Sequence, residues 1–265
     1  MPNLYTLTIN EQDYAPVYER IPLSPSSMPL RMLHISLVPK EEIAKPKADA
    51  ETERIPGSNP NVVDPAGLTR ELPQLAIREF KAGIASEHKN DIEEAIRHYQ
   101  KAIEIAPEFY EARNNLGSLH LGRSEFEAAR QQFQEAMRLN PAEARAHFNM
   151  ANLMLITHQP VKAQSIARDG LRLQPSSAFG HFVLGSALER SSDMAEAEQE
   201  LRRALELDPA MAKARLQLVN VYLRQNRKAE AMNELRAFLK AAPDDPLVAR
   251  AREVLKRLES ERASK

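Results

Sequence analysis

Two histidines, His147 and His181, are of a residue type that could bind a metal ion, and the interval between them recurs elsewhere in the sequence. A zinc site needs three or four ligands that converge within about 2 Å of the ion. The chain contains no cysteine, so it offers neither thiolate ligands nor a disulfide framework. We therefore predict no metal site and no cofactor, and we interpret both histidines as solvated or helix-capping residues.

The short motifs of several large enzyme classes are absent from the sequence. It contains no GxSxG, HExxH, GxxxxGK[ST] or GxGxxG pattern. These patterns supply a nucleophile, a zinc-bound base or a phosphate cradle. Their absence predicts a chain that performs no chemistry of its own.

Composition narrows the classes of partner and the cellular location. The net charge is −1 with 28% charged residues and no basic block, whereas nucleic-acid binding requires a basic stripe. The sequence has no run of about 18 apolar residues that would span a membrane, and MPNLYTLTINEQD lacks the basic and apolar regions of a secretory signal. We predict no nucleic-acid partner, no membrane span and a cytoplasmic location, or an extracytoplasmic one if the true start lies upstream of Met1.

Phenylalanine and asparagine side chains repeat with the same spacing as the histidines. The interval between His147 and His181 also separates Phe148 from Phe182, and Asn115 from Asn149. Aromatic anchors with polar neighbours suit peptide recognition, and an amide can donate to one backbone group while accepting from another. Such recognition needs a scaffold that places equivalent residues side by side.

Proline and alanine reveal that scaffold, because each recurs at this same fixed interval. The prolines are Pro107, Pro141, Pro175, Pro209 and Pro243, and the alanines are Ala95, Ala129, Ala163, Ala197 and Ala231. A constant period of about 34 residues is typical of stacked repeats. It predicts an alanine where two helices cross closely and a proline just after a helix ends.

Within each period the residues resemble the tetratricopeptide repeat, a family of helix-turn-helix units. The second unit shows the family pattern with Leu116, Gly117, Ala129, Phe133, Ala136 and Pro141. The predicted units within residues 66–245 are 76–109, 110–143, 144–177, 178–211 and 212–245. The resemblance implies an all-α, right-handed superhelical solenoid of such repeats, preceded by a short β-segment and a linker.

Several positions depart from the family pattern or mark helix ends. The fourth position of each unit, often aromatic in the family, holds Glu79, Arg113, His147, His181 and Arg215. Gly170 lies inside a predicted helix, where it costs about 1 kcal/mol relative to alanine unless a close approach needs it. Asn90 and Ser124, each three residues before a glutamate, predict N-terminal capping boxes.

The two ends of the chain differ from the repeats. Residues 1–40 contain three candidate strands, beginning with the alternation of Tyr5, Leu7 and Ile9, and residues 41–65 have the composition of a linker. Residues 13–17 and the following strand resemble the end of a carboxypeptidase regulatory-like β-sandwich domain; the alternative is a small β-appendage or a frayed tail. Residues 246–262 predict a helix that caps the last repeat.

The family resemblance implies that a partner binds to the concave face formed by the first helix of each repeat. The predicted groove consists of Phe80, Ile84, Asn114, Asn115, Ser118, Leu121, Phe148, Asn149, Asn152, Leu155, Phe179, Phe182, Ser186, Glu189, Leu216, Asn220 and Leu223. Asn115 and Asn149 resemble the start of an asparagine ladder that holds a peptide backbone. The alternatives are that the aromatic rings pack against the next repeat and that the asparagines are solvated or cap helices.

We therefore predict a non-enzymatic scaffold or adaptor that binds a peptide or helix of a partner protein. The alternative is the C-terminal assembly arm of an exported bacterial envelope protein that carries a β-sandwich domain. Self-association through the terminal helix stays open, since the sequence neither indicates it nor excludes it.

Overall fold

The computed structural model describes the backbone of residues 4–9 and 17–22, together with residues 72–263. The chain divides into two units, Met1–Ser58 and Asn59–Lys265. In the first unit, strands β1 (Leu4–Ile9) and β2 (Val17–Pro22) pair antiparallel, with Leu4 opposite Pro22. The first two predicted strands are thus present. The third candidate strand and the linker lie outside the described residues, and two strands alone do not support the β-sandwich resemblance.

The second unit is a run of helical hairpins, which confirms the predicted all-α solenoid of repeats. Each predicted repeat corresponds to one helix pair, although the first pair begins at Gln74, two residues before the predicted first unit. The pairs are α1 (Gln74–His88) and α2 (Ile92–Ile105), α3 (Tyr110–Gly122) and α4 (Phe126–Leu139), α5 (Ala144–Ile156) and α6 (Pro160–Leu173), α7 (Ala178–Arg190) and α8 (Met194–Leu207), and α9 (Ala212–Arg224) and α10 (Lys228–Ala241). A last helix, α11 (Val248–Ala263), follows them. Its residues Val248, Ala251 and Leu258 are buried against the preceding repeat.

The turn inside each repeat requires one residue in the left-handed backbone region. That residue is Asn90, Ser124, His158, Ser192 or Asn226, with φ between 58° and 68°. In the first repeat, the N–H of Asp91 donates to the carbonyl of Ser86 at 2.9 Å, which is the closing bond of a Schellman C-terminus. The capping-box prediction for Asn90 and Ser124 is therefore wrong. These residues end the first helix, and Asp91, not Asn90, accepts from Glu94 N at the start of α2.

Inside three repeats, a glycine on the first helix lies against a large side chain on the second. A Cβ added to Gly83 would stand 2.6 Å from the Tyr99 ring, and one added to Gly117 would stand 2.6 Å from the Phe133 ring. Gly185 is similarly close to Leu201. Real Cβ atoms essentially never approach this closely, so the glycines allow the two helices to cross at short range.

The third repeat reverses this arrangement. Ala151 and Ala167 occupy the positions of the glycine and the large residue, and the ring of Phe148 fills the space instead. A Cβ at Gly170 would lie 2.6 Å from Phe148, and one at Gly180 would lie 2.5 Å from it. The glycine inside α6 is thus explained by a close approach. Phe148 joins α5 to α6 and to α7 of the next repeat.

This packing predicts that Gly170→Ala destabilises the protein, although alanine is the better helix former. Helix propensity gains about 1 kcal/mol, but overpacking a filled core typically costs about 1–3 kcal/mol. We expect Gly170→Ala to lower the free energy of unfolding in urea by about 1 kcal/mol, and by less when the same change is made in a Phe148→Leu background. Gly122→Ala is the control, because its Cβ meets no atom within 4 Å. Equal stabilisation by both alanines would contradict the packing.

The polar residues at the fourth position of the repeats tie each first helix to its surroundings. Arg113 Nη2 donates to the Pro107 carbonyl at 3.1 Å, and Arg215 Nη2 donates to the Pro209 carbonyl at 3.0 Å. Arg215 also forms an ion pair with Glu234 of the second helix at 3.2 Å. At Arg113 and Arg215, the family's usual aromatic residue is thus replaced by a side chain that donates to the carbonyl of the preceding repeat's proline.

His181 makes the same two contacts with both ring nitrogens. Nδ1 lies 2.5 Å from Glu200 Oε2, and Nε2 lies 2.9 Å from the Pro175 carbonyl oxygen. Because both partners accept, the ring must donate from both nitrogens, as only a protonated imidazole can. Burial lowers the pKa of His181, but the bonds to Glu200 and Pro175 and the Glu200 charge outweigh it, and the pKa is raised.

A raised pKa in the folded state predicts a pH-dependent contribution to stability. The stabilisation by protonated His181 is complete below the pKa of about 6.5 that a histidine has in the unfolded chain. It is lost as the pH rises through the higher pKa of His181 in the folded protein. We expect His181→Gln to lower the free energy of unfolding by about 1–3 kcal/mol at a pH below the folded-state pKa of His181 and by less at a pH above it. Urea unfolding at the two pH values measures the difference. His147→Gln is the control, since the partner of His147 Nδ1 is a backbone carbonyl, that of Glu143, at 3.0 Å. An equal cost at both pH values would refute the assignment.

Candidate functional site on the concave face

The first helices of the repeats form the inner layer of the solenoid. Within the described residues, α3 packs on α5, α5 on α7, and α7 on α9, whereas successive second helices do not pack to a comparable extent. Elements on the inside of a curved stack lie closer together than those outside. The concave face is therefore built from the first helices, as the family resemblance implies.

Seven of the seventeen predicted groove residues are buried inside the solenoid. They are Phe80, Asn114, Asn115, Phe148, Asn149, Leu155 and Ser186. Phe80 is fully buried, with its ring centroid 4.8 Å from that of Phe109, and Phe148 is 1% exposed. The expectation that these two rings stand open in the groove is wrong, because they pack between repeats.

The other ten predicted residues retain solvent exposure. Nine are half-buried and Asn220 is exposed; the nine are Ile84, Ser118, Leu121, Asn152, Phe179, Phe182, Glu189, Leu216 and Leu223. On α7, Phe179 and Phe182 are separated by three residues, and on α9, Leu216 and Leu223 are separated by seven. These spacings place each pair on one side of its helix.

Three aromatic rings in successive contact connect the core to this surface. The ring centroids of Phe148 and Phe179 are 6.5 Å apart with an edge-to-face arrangement, and those of Phe179 and Phe182 are 6.2 Å apart. The buried Phe148 thus supports Phe179, which in turn contacts Phe182. The two outer rings are held in place without becoming buried.

The two asparagines of the predicted ladder are engaged in a buried polar network. Asn149 Nδ2 donates to Asn114 Oδ1 at 2.9 Å, which links the third repeat to the second. Asn115 Nδ2 donates to the Tyr99 hydroxyl at 3.4 Å. Both asparagines are at most 2% exposed, so their amides serve the contacts between repeats. This geometry differs from a ladder that presents amides to a peptide backbone.

The network ends at a carboxylate close to the N-terminal edge of the concave face. The Tyr99 hydroxyl donates to Glu87. Burial, together with the charge and hydrogen bond of Glu87, raises the pKa of Tyr99. Burial also raises the pKa of Glu87, against the opposing effects of Tyr99 and His88. The polar network lies where one hydrophobic cluster ends, at Leu119, and the next begins, at Ala129.

Two features of the C-terminal half were not among the predicted groove residues. Ile156, the last residue of α5, is 40% exposed, and its position, one after Leu155, is among those that line the concave face in the family. Arg190 and Arg224 bridge repeats: Arg190 donates to the Leu155 carbonyl at 2.6 Å, and Arg224 to the Glu189 carboxylate at 2.8 Å. Glu189 is thus already paired.

No alternative site emerges from the histidines or from a membrane segment. Among residues 72–263, no group of three or more histidines, aspartates and glutamates could hold a metal ion. None of the described helices combines the length and the apolar character that crossing a bilayer requires.

Comparison with known families identifies the repeat. Three family models described as tetratricopeptide or TPR repeats match residues 188–255, residues 88–122, and residues 114–155 with 162–212. Together they cover 88–155 and 162–255, which is more than half of the chain. No curated protein matches it.

Solved structures show the same fold. The TPR protein TTC0263 of Thermus thermophilus is 20% identical with a TM-score of 0.61, over 68% of this chain and 98% of that one. PilW, a type IV pilus biogenesis factor, is 14% identical with a TM-score of 0.62, over 72% and 93%. YrrB, a TPR protein, is 20% identical with a TM-score of 0.50, over 67% and 92%. The chain therefore belongs to the tetratricopeptide repeat family, whose members generally serve as protein-interaction scaffolds.

Proposed function

We propose that the concave face of repeats three to five binds a peptide or helix of a partner protein. The observation that carries the proposal is the half-buried apolar surface formed by Phe179, Phe182, Leu216 and Leu223 on α7 and α9. Clustered apolar side chains that stay exposed on a folded protein are typical of binding surfaces. Asn220, four residues after Leu216 and three before Leu223, adds a hydrogen-bonding group on the same side of α9.

The C-terminal half of the face suits this role better than the N-terminal half. In the N-terminal half, the one predicted aromatic residue, Phe80, is fully buried, whereas in the C-terminal half Phe179 and Phe182 are half-buried. In the C-terminal half, the aromatic rings rest on a packed core that already fixes their positions. A preorganised surface loses little conformational entropy on binding, which favours a scaffold that holds a short segment.

One structural neighbour provides a precedent for the ligand class. YrrB is described as a TPR protein with an unusual peptide-binding site. At 20% identity, the comparison shows only that the two proteins share a fold. The precedent therefore supports a peptide as the ligand but does not indicate the sequence of that peptide. The fold is likewise typical of interaction modules that perform no catalysis, and we propose the same for this chain.

Selection from a random peptide library on the full chain tests the proposal. The variant Phe182→Glu with Leu216→Glu removes the apolar surface. Its control, Gln131→Glu with Gln199→Glu, makes the same charge change at exposed positions of second helices. We expect peptides that bind the parent and the control but not the variant. Peptides retained by all three proteins, or a selection that enriches none, would contradict binding at the concave face.

A further inference from the structure

The outer face of the solenoid contains a cleft between the second helices of repeats two and three. Its volume is about 390 Å³, within the range of small binding pockets. The buried Met150 and Met154 of α5 form the floor, Met137 of α4 and Ile166 of α6 form the walls, and Arg130 and Lys162 stand at the rim with Gln134 and Gln159. The cleft therefore has an apolar, methionine-rich interior and a cationic edge.

This junction differs electrostatically from the other outer junctions in the described residues. Ion pairs at 2.5–2.6 Å connect the other neighbouring repeats: Glu93–Arg123, Arg168–Glu196, Glu198–Arg227 and Lys228–Glu261. Between α4 and α6 no ion pair is found among residues 72–263. Arg130 pairs with Glu127 of its own helix at 3.3 Å, and Lys162 donates to the Gln159 side chain at 2.8 Å.

The consequence is a cleft with a cation on each side and no carboxylate in its lining. At the other junctions a carboxylate on one side pairs with a cation on the other. Here no carboxylate of the neighbouring repeat pairs with Arg130 or Lys162 among residues 72–263. Methionine side chains adapt to differently shaped apolar partners, so the floor favours an apolar side chain without fixing its identity.

We propose that this cleft docks an acidic amphipathic segment of a partner protein. An apolar side chain of the segment packs on Met150 and Met154, and its carboxylates pair with Arg130 and Lys162. Charge complementarity selects the acidic partner and speeds its association. The site lies on the layer of second helices, so it is separate from the concave face and does not depend on peptide binding there.

Methyl NMR of the full chain labelled at methionine tests the proposal. The probe is a helical peptide of about 14 residues made of leucine, glutamate and alanine, compared with its isomer in which lysine replaces glutamate. Met137, Met150 and Met154 report on the cleft, and Met194, Met211 and Met232 serve as references in repeats four and five. We expect saturable shifts of the three cleft methyls with the acidic peptide only, weakened by added salt.

Charge variants complete the test. Arg130→Glu with Lys162→Glu should weaken the acidic peptide about tenfold or more, and Arg130→Gln with Lys162→Gln provides a milder version if the first fails to fold. The matched control, Lys240→Glu with Lys256→Glu, changes exposed residues on α10 and α11 and should bind like the parent. Equal affinity of the cleft and control variants, or cleft methyls that do not respond, would overturn the proposal. Cleft methyls that do not respond because another segment of this chain already fills the cleft would count against the proposal as well.

Discussion

Phe148→Ala is expected to lower the free energy of unfolding by about 3–5 kcal/mol, the range for truncating a fully buried aromatic residue. The ring lies against Gly170 and Gly180 and is 1% exposed, so its removal leaves a cavity that joins three helices. Glycines have no side chains that could move into that space. Urea unfolding of the parent and the variant measures the loss.

The location of the damage is as informative as its size. Because each repeat contacts only its neighbours, hydrogen exchange should accelerate most in α5, α6 and α7. Phe182→Ala is the matched control, since the same residue type is half-buried there, and it should cost clearly less. Equal losses at the two positions would show that Phe148 is not the packing residue of the third repeat.

Replacing Phe182 and Leu216 together by glutamate should weaken a concave-face peptide by at least about tenfold, or about 1.4 kcal/mol. Both residues contribute to the half-buried apolar surface, and aromatic anchors dominate most binding interfaces. Fluorescence polarisation with a peptide selected on the parent measures the effect. The helical circular dichroism signal should persist, because neither side chain belongs to the fully buried core.

The control for this prediction changes charge without changing the concave face. Gln131→Glu with Gln199→Glu also adds two negative charges, at exposed positions. It should bind the peptide as the parent does. A similar loss in the control would attribute the effect to net charge, and a loss of helicity in the Phe182 and Leu216 variant would place those residues in the core.

The repeat architecture could be predicted from the sequence because it depends on recurring residues. Proline at the end of each period and alanine at each helix crossing are local requirements that return in every repeat, and the helices follow them. The burial of individual groove residues could not be predicted in the same way. For Phe148 it follows from the third repeat, where its ring takes the place that Tyr99 and Phe133 fill from the second helices of their repeats.

Two other predictions failed because the structure at those residues depends on the turn between the helices and on hydrogen bonds between residues distant in sequence. Asn90 satisfies the sequence pattern of an N-cap, but its φ of 58° shows that the chain reverses at this residue. Likewise, the amides of Asn115 and Asn149 have the spacing of a ladder, yet partners 16 and 35 residues away engage them. The envelope-protein alternative rests on residues before the repeats, most of which lie outside the described ranges, and stays a prediction.

Site-specific photocrosslinking most directly tests the claim that the concave face of repeats three to five binds a peptide. A benzophenone-bearing phenylalanine would replace Phe182 in one sample and the exposed Gln131 of α4 in another, each illuminated with a peptide selected on the parent. Binding at the concave face predicts a peptide adduct at position 182 and none at position 131, identified by mass spectrometry. An adduct at position 131 alone, or equal adducts at both positions, would contradict it.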